Sequence, residues 1–159
     1  MKILGIDPGY DRLGIAIIES QSRIQAHYLS SECFTTNNTL EFNERLALIV
    51  GHIDEVFKQE QPNALVLELL YINSNQKTVM FVAEVRGALK TLAHIHRIPI
   101  YEMNPLQIKS AITGHGQASK SSVAFMIPKL ITLPTRKMID DEVDAIGIAL
   151  AGVAHFSLF

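Results

Sequence analysis

Four acidic residues have the types and settings to act together: Asp7, Glu68, Asp141 and Asp144. Asp7 follows the apolar run Ile3-Leu4-Gly5-Ile6 and is followed at once by Pro8-Gly9. Pro8 biases Asp7 away from the helical region, and Gly9 permits a tight turn. An acid is thereby held at the rim of a sheet. Glu68 is the single carboxylate of a second apolar run, Ala64-Leu65-Val66-Leu67-Glu68-Leu69-Leu70. Charged residues are rarely buried in such a run unless paired. Asp141 and Asp144 are three apart, so on a helix they share one face. Each feature alone has a plainer explanation: a turn cap at Asp7, a solvent-facing strand end at Glu68, and helix-dipole acids at 141–144. Taken together, four carboxylates meeting over one end of a sheet would repel each other and need cations. Mg²⁺ prefers such hard oxygen ligands. Two Mg²⁺ ions about 3.5–4 Å apart would clamp the attacking and leaving oxygens of a phosphodiester during in-line displacement.

These acids need rigid elements beneath them. Apolar residues 3, 4 and 6 predict a buried central strand. Residues 13–19 predict a second strand joined to it by a short hairpin, and 23–34 a third. Asn38 with Glu41 reads as a capping box for a helix over 40–61, with Phe42, Leu46, Ile49, Ile53, Val56 and Phe57 on one stripe. Pro62 stops it. A strand over 64–70 follows. A long helix over 76–97 then carries Val79, Val82, Ala83, Arg86, Leu89 and Ala93 at helical spacing, with Gly87-Ala88 as a flat patch. The short strand 98–102 carries Pro99, which places it near an edge. Asn104-Pro105 opens a helix to about 113. Ser119 caps another, which Pro128 kinks or limits. The last helix covers 140–155, with Val143, Ile146 and Leu150 as its apolar stripe. Three sequential strands predict an antiparallel meander, and the two strands that each follow a helix predict parallel additions.

Bulk properties narrow the classes. The 159 residues, 48% apolar, predict one domain over 1–159 with a substantial core. No apolar run is long enough to span a bilayer, so no membrane partner is expected. The N-terminus lacks a signal-peptide layout. The single cysteine, Cys33, fits a reducing cytoplasm. Fourteen basic against sixteen acidic residues give a net charge of −2. That argues mildly against a nucleic-acid partner, less so if several acids bind cations.

The motif order then resembles a known family, the RuvC Holliday-junction resolvases. The matching residues are Ile6-Asp7-Pro8-Gly9, Leu67-Glu68 with Tyr71 and Asn75, Arg86-Gly87, Gly114-His115-Gly116-Gln117-Ala118-Ser119-Lys120, and Asp141-Glu142-Val143-Asp144-Ala145. The resemblance implies an α/β, ribonuclease H-like fold: a five-stranded mixed sheet flanked by helices. It implies Asp7, Glu68, Asp141 and Asp144 as metal-binding catalytic acids, with two Mg²⁺ per site and Mn²⁺ as a substitute. It implies a homodimer that makes paired nicks in four-way DNA junctions, and a branch-migration motor as partner. Tyr71 stands where the family carries a base-stacking aromatic, and stacking contributes about 1–3 kcal/mol per base. Lys120, at a helix N-terminus after a glycine-rich turn, would meet phosphate and support cleavage. Lys109 and Asn75 join it as DNA-contacting residues. The sequence departs from the family in its net negative charge, in Pro128 near the site, and in ending at Phe159 without the basic extension of some relatives. The first and last of these predict salt-sensitive DNA binding. Three other readings compete. An actin-like ATP-binding protein shares the Gly-Ile-Asp opening but needs a second such domain. A non-cutting junction binder would gain nothing from acids facing phosphates. Another ribonuclease H-like nuclease would share the acids but not the substrate.

Overall fold

The computed structural model describes residues 1–22, 25–70 and 76–156. In chain order the elements are β1 (Lys2–Asp7), β2 (Arg12–Ser22), β3 (Gln25–Thr35), α1 (Phe42–Glu60), β4 (Ala64–Glu68), α2 (Gln76–Ile95), β5 (Ile100–Met103), α3 (Pro105–Thr113), α4 (Lys120–Leu130) and α5 (Asp140–Phe156). They form a five-stranded sheet in the order β3-β2-β1-β4-β5. β1–β2 and β2–β3 pair antiparallel, whereas β1–β4 and β4–β5 pair parallel. The mixed sheet is the one expected, with β1 at its centre and β5 on an edge, as Pro99 implied.

The two faces of the sheet bury different helices. Leu4, Ile6, Leu65 and Leu67 pack with Ile49, Ile53 and Phe57 of α1 and with Val85 and Leu89 of α2. Ile3, Ala64 and Val66 pack instead with Ile108 and Ile112 of α3, Val123 and Ile127 of α4, and Ile146 and Ala149 of α5. Alternate residues of a strand point to opposite faces, so β1 and β4 each feed both cores. Burying a leucine or isoleucine completely contributes about 1.5–3 kcal/mol, and the residues of β1 and β4 just named are all fully buried. Among the described residues no helix is long and apolar enough to cross a membrane.

Several local expectations are corrected. The first helix begins at Phe42, not 40, and its box is Glu41 with Glu44: the Glu41 amide donates to Glu44 Oε2 at 3.0 Å. Asn37 accounts for the delay, because its side chain accepts from the Thr39 amide at 3.0 Å and turns the chain first. Arg45 lies on the buried face of α1, paired with Asp11 and donating to Thr36 Oγ1 at 2.8 Å and to the Tyr10 carbonyl at 3.0 Å. On α2 the buried stripe is Val85, Arg86, Leu89, Leu92 and Ala93, so Ala83 faces outward. Val143 is only partly buried, while Glu142 beside it is fully buried. Pro128 sits inside α4, which ends two residues later.

Candidate active site

The strand register sets the first two acids side by side. β1 and β4 run parallel, with Ile6 opposite Leu67. Asp7 and Glu68 are each the next residue of their strand. Ile6 and Leu67 face the core under α1 and α2, so the alternation turns Asp7 and Glu68 to the other face, toward α5.

α5 lies directly on that face because glycines in the sheet let its backbone approach. A Cβ on Gly5 would stand 2.5 Å from the Ala149 amide nitrogen, and one on Gly14 only 1.9 Å from the Asp141 carbonyl oxygen. Gly14 is also the partner of Asp7 across the hairpin. The start of α5 is thus seated beside Asp7, and the i, i+3 spacing brings Asp144 over the same spot as Asp141.

Burial and mutual charge act on all three of Asp7, Glu68 and Asp144. Burial, then the charges of Asp144, Glu68 and Asp141, lift Asp7 to about 7. Burial and Asp144 also raise Glu68, against the pull of Lys109, Arg86 and Lys120. Burial raises Asp144, although Lys120 opposes it. Lys120 Nζ lies 2.5 Å from Asp144 Oδ2, and that bond raises the lysine in turn. Glu68, Asp144, Lys120 and Lys109 line one cleft of about 280 Å³, floored by Ile108, Val123 and Gly147.

The donor chemistry fits a hard divalent cation. Every candidate ligand is a carboxylate oxygen, the type Mg²⁺ prefers. Asp141 Oδ2 is buried and receives no directed hydrogen bond; Arg12 Nε pairs with it at 3.1 Å, off the line a hydrogen bond needs. A carboxylate oxygen kept from water in this way is a costly arrangement that a cation would relieve. Among the described residues, no three His, Cys, Asp or Glu side chains already stand in ligand positions, and Lys120 and Arg12 partner two of the acids directly.

The sequence profile described as crossover junction endodeoxyribonuclease RuvC matches residues 3–152. The chain belongs to the RuvC family. RuvC relatives cover it end to end: it is 37% identical to that of Alkaliphilus metalliredigens over 100% of this chain and 98% of the relative. It is 36% identical to that of Carboxydothermus hydrogenoformans, over 96% and 95% respectively. The fold superposes on Thermus thermophilus RuvC in complex with a Holliday junction substrate with a TM-score of 0.92, at 28% identity over 99% of this chain and 96% of that one. The fold is therefore ribonuclease H-like, and RuvC membership makes the chain a crossover junction endodeoxyribonuclease, as the motif order implied.

Of the sequence-derived RuvC site residues, Asp7, Glu68, Asp141, Asp144, Lys120 and Lys109 come together in the structure. Tyr71 and Asn75 lie outside the described residues. Sequence reasoning missed Arg12, at the start of β2, and the pair formed by Glu142 and Arg136 beneath the site. Nothing local marks Arg12. A glutamate between two site acids could have been asked for its own partner, since on a helix it must face elsewhere.

Proposed function

We propose that residues 1–159 act as one nuclease domain that resolves four-way DNA junctions by paired, symmetric nicks, with Asp7, Glu68, Asp141 and Asp144 as the metal-binding acids. The observation that supports these roles is the convergence of four carboxylates from β1, β4 and α5, where burial and the three neighbouring charges together lift Asp7 to about 7. When bound, two Mg²⁺ ions, or Mn²⁺ in their place, would activate the attacking water and offset charge on the departing 3′ oxygen.

The chain's own residues do the rest. Asp7 and Glu68 supply oxygens from rigid strand ends, and Asp141 and Asp144 supply them from the N-terminal end of α5. Asp7 holds a proton near neutral pH in the free protein and must release it to become a ligand, so cation binding frees protons. Lys120 is paired with Asp144 in the free protein. With Asp144 engaged by a cation, the lysine ammonium would be available to the scissile phosphate. Lys109 extends the positive charge along the cleft. Tyr71 and Asn75 are the candidate contacts to unstacked bases and backbone near the crossover.

Paired nicks on opposite strands require two sites related by a two-fold axis. The outward face of α2, with Met80 62% exposed and Ala83, Gly87 and Thr91 beside it, is the candidate homodimer contact. A branch-migration motor as partner and a cytoplasmic setting complete the proposal.

The test is cleavage of a synthetic four-way junction, with duplex and RNA–DNA hybrid controls, in Mg²⁺ and in EDTA. Paired nicks confined to the junction, dependent on Mg²⁺ and lost in Asp7→Asn with binding retained, are expected. Cutting of the hybrid instead would keep the acids and discard the substrate. Binding without cutting under any metal would discard the catalytic role of the acids.

A further inference from the structure

Arg86 belongs to the Arg86-Gly87 pair on α2 and lies on its buried face. Only 6% of it is exposed, and a guanidinium leaves water at great cost unless its charge and N–H groups find partners. Its partners are specific. Nη1 donates to the backbone carbonyl of Glu68, and Nη2 to Glu102 Oε1 on β5. Lys90, one turn along α2, donates to the other Glu102 oxygen at 3.0 Å. The Leu69 amide donates to the Met103 carbonyl at 2.8 Å, continuing the β4–β5 ladder past Glu68. On the opposite side the β1–β4 register ends at Ile6 and Leu67. Glu68 therefore stands one residue beyond the ladder to β1, and Arg86 donates to its carbonyl there.

We infer that Arg86 is a positioning residue for Glu68: its guanidinium, oriented by Glu102, fixes the peptide from which the Glu68 carboxylate projects into the acid cleft. The assignment rests on Glu68 being one of the acting acids. The side chain suits the task. A planar fork holds two acceptors in one fixed geometry, which the ammonium of lysine cannot do. A misplacement of about 1 Å in a reacting group can cost about 10²-fold in rate. Removing a residue that orients a ligand typically costs about 10–100-fold in metal affinity or activity.

The experiment compares Arg86→Met, Arg86→Lys and Glu102→Gln with wild type, and uses Glu68→Gln as reference. Four quantities are read: the single-turnover nicking rate on a four-way junction, junction affinity in EDTA, the Mg²⁺ concentration for half-maximal rate, and Mn²⁺ affinity from electron paramagnetic resonance titration without DNA. Arg86→Met is expected to nick about 10–100-fold more slowly and to bind Mn²⁺ several-fold more weakly, with junction affinity within about twofold of wild type. Arg86→Lys and Glu102→Gln should fall between it and wild type. A folded but loosened protein would lose junction affinity and thermal stability together and leave the Mn²⁺ titration unmoved, which would overturn the assignment. Wild-type nicking and Mn²⁺ binding in Arg86→Met, beside a dead Glu68→Gln, would overturn it while sparing Glu68. An active Glu68→Gln would remove the reading of Glu68 and the assignment with it. Should Arg86→Met not fold, Arg86→Lys decides the matter by the same readouts.

Discussion

Burial and three neighbouring carboxylates lift Asp7 to about 7 in the free protein, and this has a sign that can be checked. In the unfolded chain the residue titrates near 3.8. Between those values the folded state holds the proton and the unfolded state has lost it. Stability should therefore fall as pH rises from about 4 to about 7, by up to a few kcal/mol. In EDTA, Asp7→Asn is expected to melt above wild type at pH 8, with the gap closing toward pH 4. Mg²⁺ should raise the melting temperature of wild type at pH 8 much more than that of Asp7→Asn. Thermal unfolding across pH, with and without Mg²⁺, checks both. A variant that melts below wild type at pH 8 would mean that Asp7 is not under strain from its neighbours.

At the scale of elements, the start of α5 matters most, and two features hold it. Beneath it, Glu142 is 2% exposed and accepts from Arg136 Nη1 at 3.0 Å and from Ser31 Oγ on β3 at 2.7 Å, while Arg136 Nη2 donates to the Ser31 carbonyl at 2.9 Å. Burial would raise Glu142, but Arg136 and Ser31 outweigh it and hold the carboxyl below the usual range. A depressed carboxyl adds stability above its unfolded value and loses it as pH falls through the folded one. Arg136→Ala leaves a buried carboxylate with Ser31 as its remaining side-chain partner and should cost about 1–3 kcal/mol, since Arg136 itself is half exposed; urea unfolding at pH 7 measures this, and the difference from wild type should shrink in acid. Where α5 meets the sheet, Gly14→Ala drives a methyl group into the Asp141 carbonyl, 1.9 Å away. Backbone on both sides cannot yield cheaply, so the start of α5 should lift from the sheet. The expected result is loss of nicking by at least about 10²-fold, with hydrogen exchange raised at the α5 N-terminus and unchanged in α1.

For the whole molecule, net charge governs how DNA is met. At −2 overall, the chain depends on local positive charge around the cleft, including Lys109 and Lys120. Junction affinity should fall by orders of magnitude between about 50 and 200 mM salt, and Lys109→Ala should lower the logarithmic salt slope by about one. Fluorescence anisotropy over a salt series reads both. A slope unchanged by Lys109→Ala would place that lysine away from phosphate. On α2, Gly87 is exposed and a Cβ there would meet nothing within 4 Å in one chain. If α2 forms the proposed homodimer contact, Gly87→Arg should leave the fold intact, break that contact and turn paired nicks into single ones, as sedimentation and product analysis would reveal.

Patterns with a local cause were legible from the amino acids alone. Apolar runs at β1 and β4 each carrying one carboxylate, the i, i+3 acids of α5, and the Asn104-Pro105 start of α3 all rest on neighbours a few residues apart. There the structure agrees with them: Asn104 Oδ1 accepts from the Gln107 amide at 2.8 Å, as a helix cap should. The motif order added the family, and with it the junction substrate. Other features depended on residues far apart in the chain. The parallel register that puts Asp7 beside Glu68 is a pairing across 61 residues between Ile6 and Leu67. The role of Gly14 appears only when α5 lies on β2. Glu142 looked like one more dipole-favoured acid until β3 and Arg136 closed around it, and Arg86 looked like one more member of a helical stripe until the ends of β4 and β5 met it. Periodicity and capping are written in short-range sterics and hydrogen bonds. Which side chain a buried charge finds is decided only when the sheet and helices pack, because burial creates the demand for a partner and packing supplies it.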